Sequence, residues 1–175
     1  MPGLRQQLQH SLRGRVCCIG LGNLDYGDDG FGMRLAEKLI AEGVPDVILA
    51  GTVPDRWIGQ AAGFGHIVFL DAVDFGAEPG SVVFLDSAQM VARFPQISTH
   101  KISLGLLAQW AEANGTIKAW LLGAQPESLK PAEQLTPVLQ TTLELLSCLL
   151  TDHLGTDARV RPAERELGRE SEVNA

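Results

Sequence analysis

Cysteine is scarce in this chain: three in 175 residues, with Cys17 and Cys18 adjacent inside an apolar run and Cys148 alone amid leucines. An odd count without metal-ligand spacing excludes a disulfide framework and a structural zinc site, and the three read as reduced core residues. Basic residues are also few, 14 Lys and Arg against 21 Asp and Glu, for a formal charge of -7. No stripe of Lys and Arg is present that could neutralise phosphates, so nucleic acid is not an expected partner. Long hydrophobic runs are missing too. None approaches the roughly 20 residues of a bilayer-spanning helix, so no membrane insertion is expected. The opening stretch, Met1 to Arg15, has basic residues but no apolar core, because Gln6, Gln7, Gln9 and His10 interrupt it. That pattern does not describe a secretory signal, and a cytoplasmic protein is expected. Internal repeats and low-complexity segments are likewise lacking.

What is present is a hydrophobic content of 45%, enough for one well-buried core. Val16 to Leu21 is continuously apolar and closed by glycine, as a strand buried on both faces must be. From Asp28, apolar residues recur at helical spacing (Phe31, Leu35, Ala36, Leu39, Ile40) until Gly43 and Pro45. Val47 to Ala50 and His66 to Leu70 read as further strands around the weakly helical stretch Asp55 to Ala62. Ser81 to Leu85 follows a connection too short for a helical crossover, which predicts an antiparallel or edge strand. Ser103 to Ala113 reads as helix, Ile117 to Leu122 as strand, and Ala132 to Leu150 as the longest helix. This alternation predicts a three-layer α/β/α sandwich with a mostly parallel sheet and helices on both faces, one domain over residues 1–155. From Thr156 onward apolar periodicity is gone, and a disordered polar tail over 156–175 is expected.

In such sheets the functional crevice lies beyond the C-terminal strand ends, and those positions are acidic here. Asp25, Asp28 and Asp29 follow the first predicted strand, and Asp71 and Asp74 follow the third. Gly20-Leu21-Gly22 suggests a dinucleotide-binding turn, but the third glycine of that motif would fall at Asp25. Carboxylates at a helix start also repel phosphate and attract cations. Taken singly, Asp28 and Asp29 are ordinary helix-capping residues, with Asp28 expected to cap its own helix, Asp71 is a turn residue, and His100 is a loop imidazole. Together, two carboxylates at neighbouring strand ends and a histidine between the Ser81 strand and the Ser103 helix make a site for a borderline divalent metal with open positions. His66 is expected to be partly buried, and His10 and His153 solvated. No serine or cysteine sits in a nucleophile-elbow pattern, and the cysteines lie in apolar stretches, which disfavours a serine or cysteine hydrolase.

Gly22-Asn23 followed by Gly27-Asp28-Asp29-Gly30-Phe31-Gly32 resembles the opening motif of the hydrogenase maturation endopeptidases. Gly51-Thr52, Leu70-Asp71-Ala72, Thr99-His100-Lys101 and Gly123-x-x-Pro126-Glu127 continue the resemblance in the family's order, over about Val16 to Leu150. The resemblance implies a protease that removes the C-terminal extension of a [NiFe]-hydrogenase large-subunit precursor. It also implies that Asp29, Asp71 and His100 are the catalytic, metal-recognising residues; the first acid, often Glu in relatives, is Asp29 here. The metal so implied is nickel supplied by the substrate, with no tightly bound cofactor of the enzyme's own. Gly22, Gly27 and Gly30 are expected to allow positive φ or close approach, Gly51-Thr52 to line the cleft floor, and Tyr26 or Trp57 to meet the precursor tail or be buried.

Two alternatives share the fold or the site. A phospho-receiver signalling module also sets acids at strand ends, with Asp71 as the modified residue. It requires paired acids directly after the first strand and a lysine before the late proline, where this chain has Gln125. A non-catalytic nickel-binding chaperone would use the same residues without cleavage.

Overall fold

The computed structural model of the protein describes residues 3–94, 103–113 and 115–160. Five strands form one sheet in the order β2-β1-β3-β5-β4. They are β1 (Val16–Leu21), β2 (Val47–Gly51), β3 (His66–Ala72), β4 (Val82–Asp86) and β5 (Lys118–Ala124). The first four positions of that order run parallel, and β4 pairs antiparallel with β5 at the edge. The short connection before β4 dictates this, because it holds no crossover helix that could return the chain to the same end of the sheet.

The helices are α1 (Leu4–Ser11), α2 (Phe31–Ala41), α3 (Ser87–Arg93), α4 (Leu104–Glu112) and α5 (Pro137–Val160). On one face α1, α2 and α5 bury Leu8, Leu35, Leu39, Leu143 and Leu146 against Cys18, Val68 and Leu122. On the other, α3, α4 and two 3-10 turns (Pro54–Arg56 and Ile58–Ala61) bury Ile58, Ala61, Met90, Leu107 and Ala111 against Ile19, Phe69 and Leu121. The architecture is the expected α/β/α sandwich, and β1 is buried at every position because both of its faces are covered.

The structure also revises the sequence reading. α1 was not anticipated; Leu8 and Leu12 are nevertheless fully buried by it and the turn that follows. α3 was likewise unassigned, although Asp86 and Gln89 form a complete capping box at its start. α5 begins at Pro137 rather than Ala132 and runs on to Val160, past the expected boundary at 155. The rest of the expected tail, residues 161–175, lies outside the described residues.

From β1 the chain crosses through α2 to β2 on one side, whereas from β3 it proceeds to β4 and β5 on the other. The switch point therefore lies between the C-terminal ends of β1 and β3, where an open α/β sheet parts its loops into a crevice. Asp29 follows the first of these strands, and Asp71 is the penultimate residue of the second.

Candidate active site at the strand ends

The loop leaving β1 is folded tightly onto itself. Gly22 has φ 114°, and a Cβ there would lie 1.8 Å from the carbonyl oxygen of Asp29, so only glycine fits. The Asn23 amide donates to Asp29 Oδ2 at 2.9 Å, while Asn23 Oδ1 accepts from the Asp25 amide at 3.0 Å. Asn23 thus both closes an Asx turn and orients Asp29. Asp29 is half-buried, and its Oδ1 has no hydrogen-bond partner among the described residues. One oxygen is anchored and the other makes no such bond.

The neighbouring acid has a different task. Asp28 is fully buried, and its carboxylate accepts from the amides of Glu127 (2.9 Å), Ser128 (3.1 Å) and Thr136 (2.7 Å) as well as from the Thr136 hydroxyl. The expectation that it caps its own helix is corrected: no side-chain cap bond is made at the start of the Gly27–Gly30 turn or of α2. Instead it fastens the β1 loop to the long loop before α5, reinforced by Gly27 N-H to Ala132 O at 2.8 Å. A fully buried carboxylate survives without a counter-ion only when so many N-H and O-H groups converge on it.

Asp71 is half-buried near the end of β3, in register with Gly123 of β5. The turn carrying Asp29 packs directly on β3. Gly32 makes that approach possible, since a Cβ at this position would lie 1.9 Å from Leu70 O and 2.6 Å from Leu21 O. Asp74 is exposed on the following loop; its carboxyl is held below the usual range by Gln125 Nε2-H and then by the Gly76 amide. Gln125 itself is buried, with Oε1 accepting from the amides of Phe75 (2.9 Å) and Ala77 (3.2 Å). It occupies the place a receiver module would give to lysine and braces the loop instead. Its sequence signal was only its position before Pro126, so this bracing role was not anticipated.

His100 lies outside the described residues. Among the described residues no three His, Cys, Asp or Glu side chains converge as a metal site. Of the flanking motif residues, Gly51 accepts from the Gly22 amide at 3.0 Å, Thr52 is exposed, Tyr26 is 43% exposed, and Trp57 packs half-buried on the core.

The remaining histidines and the cysteines lie elsewhere. His66 is half-buried and accepts at Nδ1 from Trp120 Nε1-H at 3.1 Å, and desolvation lowers its pKa. His10 is exposed, but His153 is not simply solvated: its Nε2 lies 3.1 Å from Leu12 O and ties α5 to the end of α1. Burial first, then the charge of Asp46, pushes the Cys17 thiol up to about 12, and burial raises Cys18 as well. Neither forms a thiolate near neutral pH, so neither is a nucleophile.

Known proteins resemble this chain in sequence and in fold. A family described as hydrogenase maturation protease matches residues 33–152, a span that begins after Asp29. The Hydrogenase 2 maturation protease of Escherichia coli K12 is 29% identical over 138 residues, covering 74% of this chain and 84% of that protein. The crystal structure of the [NiFe] hydrogenase maturation protease HycI from Thermococcus kodakarensis KOD1 superposes with a TM-score of 0.74. It is 29% identical and is matched over 87% of this chain and 98% of its own. The hydrogenase maturating endopeptidase HybD from E. coli gives a TM-score of 0.64 at 26% identity, over 80% of this chain and 94% of its own. With the family matched over most of its length and its fold shared with solved peptidases, this chain belongs to the hydrogenase maturation protease family.

Proposed function

We propose that this enzyme removes the C-terminal extension of a nickel-loaded [NiFe]-hydrogenase large-subunit precursor, with the substrate's nickel as the recognition signal. The observation that carries the reading is the division of labour between adjacent acids. Asp28 spends its carboxylate on four loop donors, whereas Asp29 keeps an oxygen without a partner beside the end of β3, where Asp71 stands. Two carboxylate oxygens with the imidazole of His100 form a donor set suited to nickel, and the ion arrives with the precursor rather than residing in the enzyme. Binding then favours the loaded precursor over the empty one, and cleavage follows metal insertion as a checkpoint.

The test is the mass of a purified large-subunit precursor after incubation with this protein, compared with and without nickel. Loss of one discrete C-terminal peptide from the loaded form alone is the expected result. A precursor that stays whole despite confirmed nickel loading refutes the reading. Retained cleavage in Asp29→Asn or His100→Ala at the normal rate would refute the assignment of those residues.

A further inference from the structure

The two edges of the sheet are not alike. β4 runs into Asp86, which caps α3, and a depression beside Phe84 and Asp86 is walled by Gln6, Gln7 and His10 of α1. Among the described residues no strand pairs with the outer edge of β2. Its sequence Val47–Gly51 carries no charge and no proline, the devices by which edge strands usually resist pairing. A register shift after Gly20 gives Gly51 O to the Gly22 amide and leaves Ala50 O to the Val53 amide. Before it, the pairing with β1 and the Cys18 N-H to Asp46 O bond turn the Ala50 amide and the amide and carbonyl of Ile48 inward to β1. Those of Val47 and Leu49 therefore point away from the sheet, with no main-chain partner among the described residues. Leu49 and Val53 are each 37% exposed along this edge.

The edge also leads to the active site. β2 runs parallel to β1, so its C-terminal end stands at the same end of the sheet as Asp29, and Gly51 O is bonded to the Gly22 amide from which that loop springs. We propose that the free edge of β2 is the docking strip for the precursor's C-terminal extension, which adds to the sheet as a further strand through Val47 and Leu49. This rests on the peptidase reading above. Of the precursor, the extension has a free end and can lie extended, and an extended peptide is what a bare edge recognises. A strand added there lies about 10 Å from β1, two strand spacings away. About three extended residues cover that distance, so the paired segment begins about three residues beyond the scissile bond.

Amide hydrogen exchange on the whole enzyme tests this. A nickel-loaded precursor with proline just after the cleavage point resists turnover and keeps the complex together. In its presence exchange at Val47 and Leu49 is expected to slow at least tenfold, while Ile48 and Ala50 keep their rates. The mature large subunit, lacking the extension, is expected to change none of the four. Proline placed at successive positions of the extension should raise KM at every second position, since alternate amides face β2. Normal cleavage of unmodified precursor with no slowing at Val47 and Leu49 overturns the docking strip and leaves the peptidase reading standing. Slowing by the mature subunit overturns the extension as occupant, and a loaded precursor that is neither cleaved nor protective overturns both readings.

Discussion

At the residue scale, adjacent aspartates separate into a structural and a chemical role, and mutation should separate them again. Asp28→Ala removes the acceptor for three amides and a hydroxyl in a buried loop junction and should cost at least about 3 kcal/mol of stability, read from the urea midpoint. Asp29→Asn keeps the size and one acceptor oxygen for Asn23 N-H. It should change stability by less than about 1 kcal/mol while lowering cleavage at least about 100-fold, since even outer groups of a metal site matter by that much. Equal losses of stability in the two variants would contradict the division of labour. A second prediction concerns pH. Burial, opposed by a bond to the Arg13 backbone and aided by the charge of Lys118, lowers the pKa of His66 from 6.5, so the folded state favours the neutral ring. The stability this supplies is complete above the unfolded pKa and is lost as pH falls below about 6.5 toward the folded value. Thermal unfolding of His66→Gln should therefore depend less on pH between about 7 and 5 than that of the parent. Both histidine and aspartate types were legible in the sequence as candidates. Which of Asp28 and Asp29 would be consumed by the fold was not, because the donors at Glu127, Ser128 and Thr136 are a hundred residues away along the chain.

At the element scale, the site depends on how closely the start of α2 approaches β1 and β3. Gly32→Ala drives a methyl into Leu70 O and Leu21 O, main-chain atoms that cannot rotate away. The variant should lose about 3 kcal/mol or more and show impaired cleavage, because α2 and the Asp29 turn must shift together; urea denaturation and precursor mass measure the two effects. A stability within error of the parent would show that the helix start is not held at this distance. Elements with strong apolar periodicity were legible, as β1, β3, β5 and α2 illustrate. The short helices carry little local signal, for physical reasons. α1 offers a Leu4, Leu8, Leu12 ladder amid polar residues, and its burial is created only when α5 packs across it. α3 has just seven residues, and its signal was the Asp86-x-x-Gln89 cap rather than a hydrophobic pattern.

At the scale of the whole molecule, two cores share one sheet, so neither should melt alone. Trp120 packs against the core under α1, α2 and α5, and Trp57 against the core under α3 and α4. Tryptophan fluorescence and far-ultraviolet circular dichroism should therefore trace one coincident unfolding curve, whereas separated midpoints would mean the two faces fold independently. Among the described residues no helix is long and apolar enough to cross a membrane. The sequence by itself determined the fold class, the family and the acidic character of the strand ends, because buried strands need unbroken apolar runs and tight loops need glycine at particular places. The tertiary structure decided which carboxylate is sequestered, where the chain reverses its direction across the sheet, and which strands end it. Those properties arise from pairings between distant segments, β1 with β3, the Asp28 loop with the start of α5, β2 with no further strand among the described residues, and no local pattern in the chain encodes them.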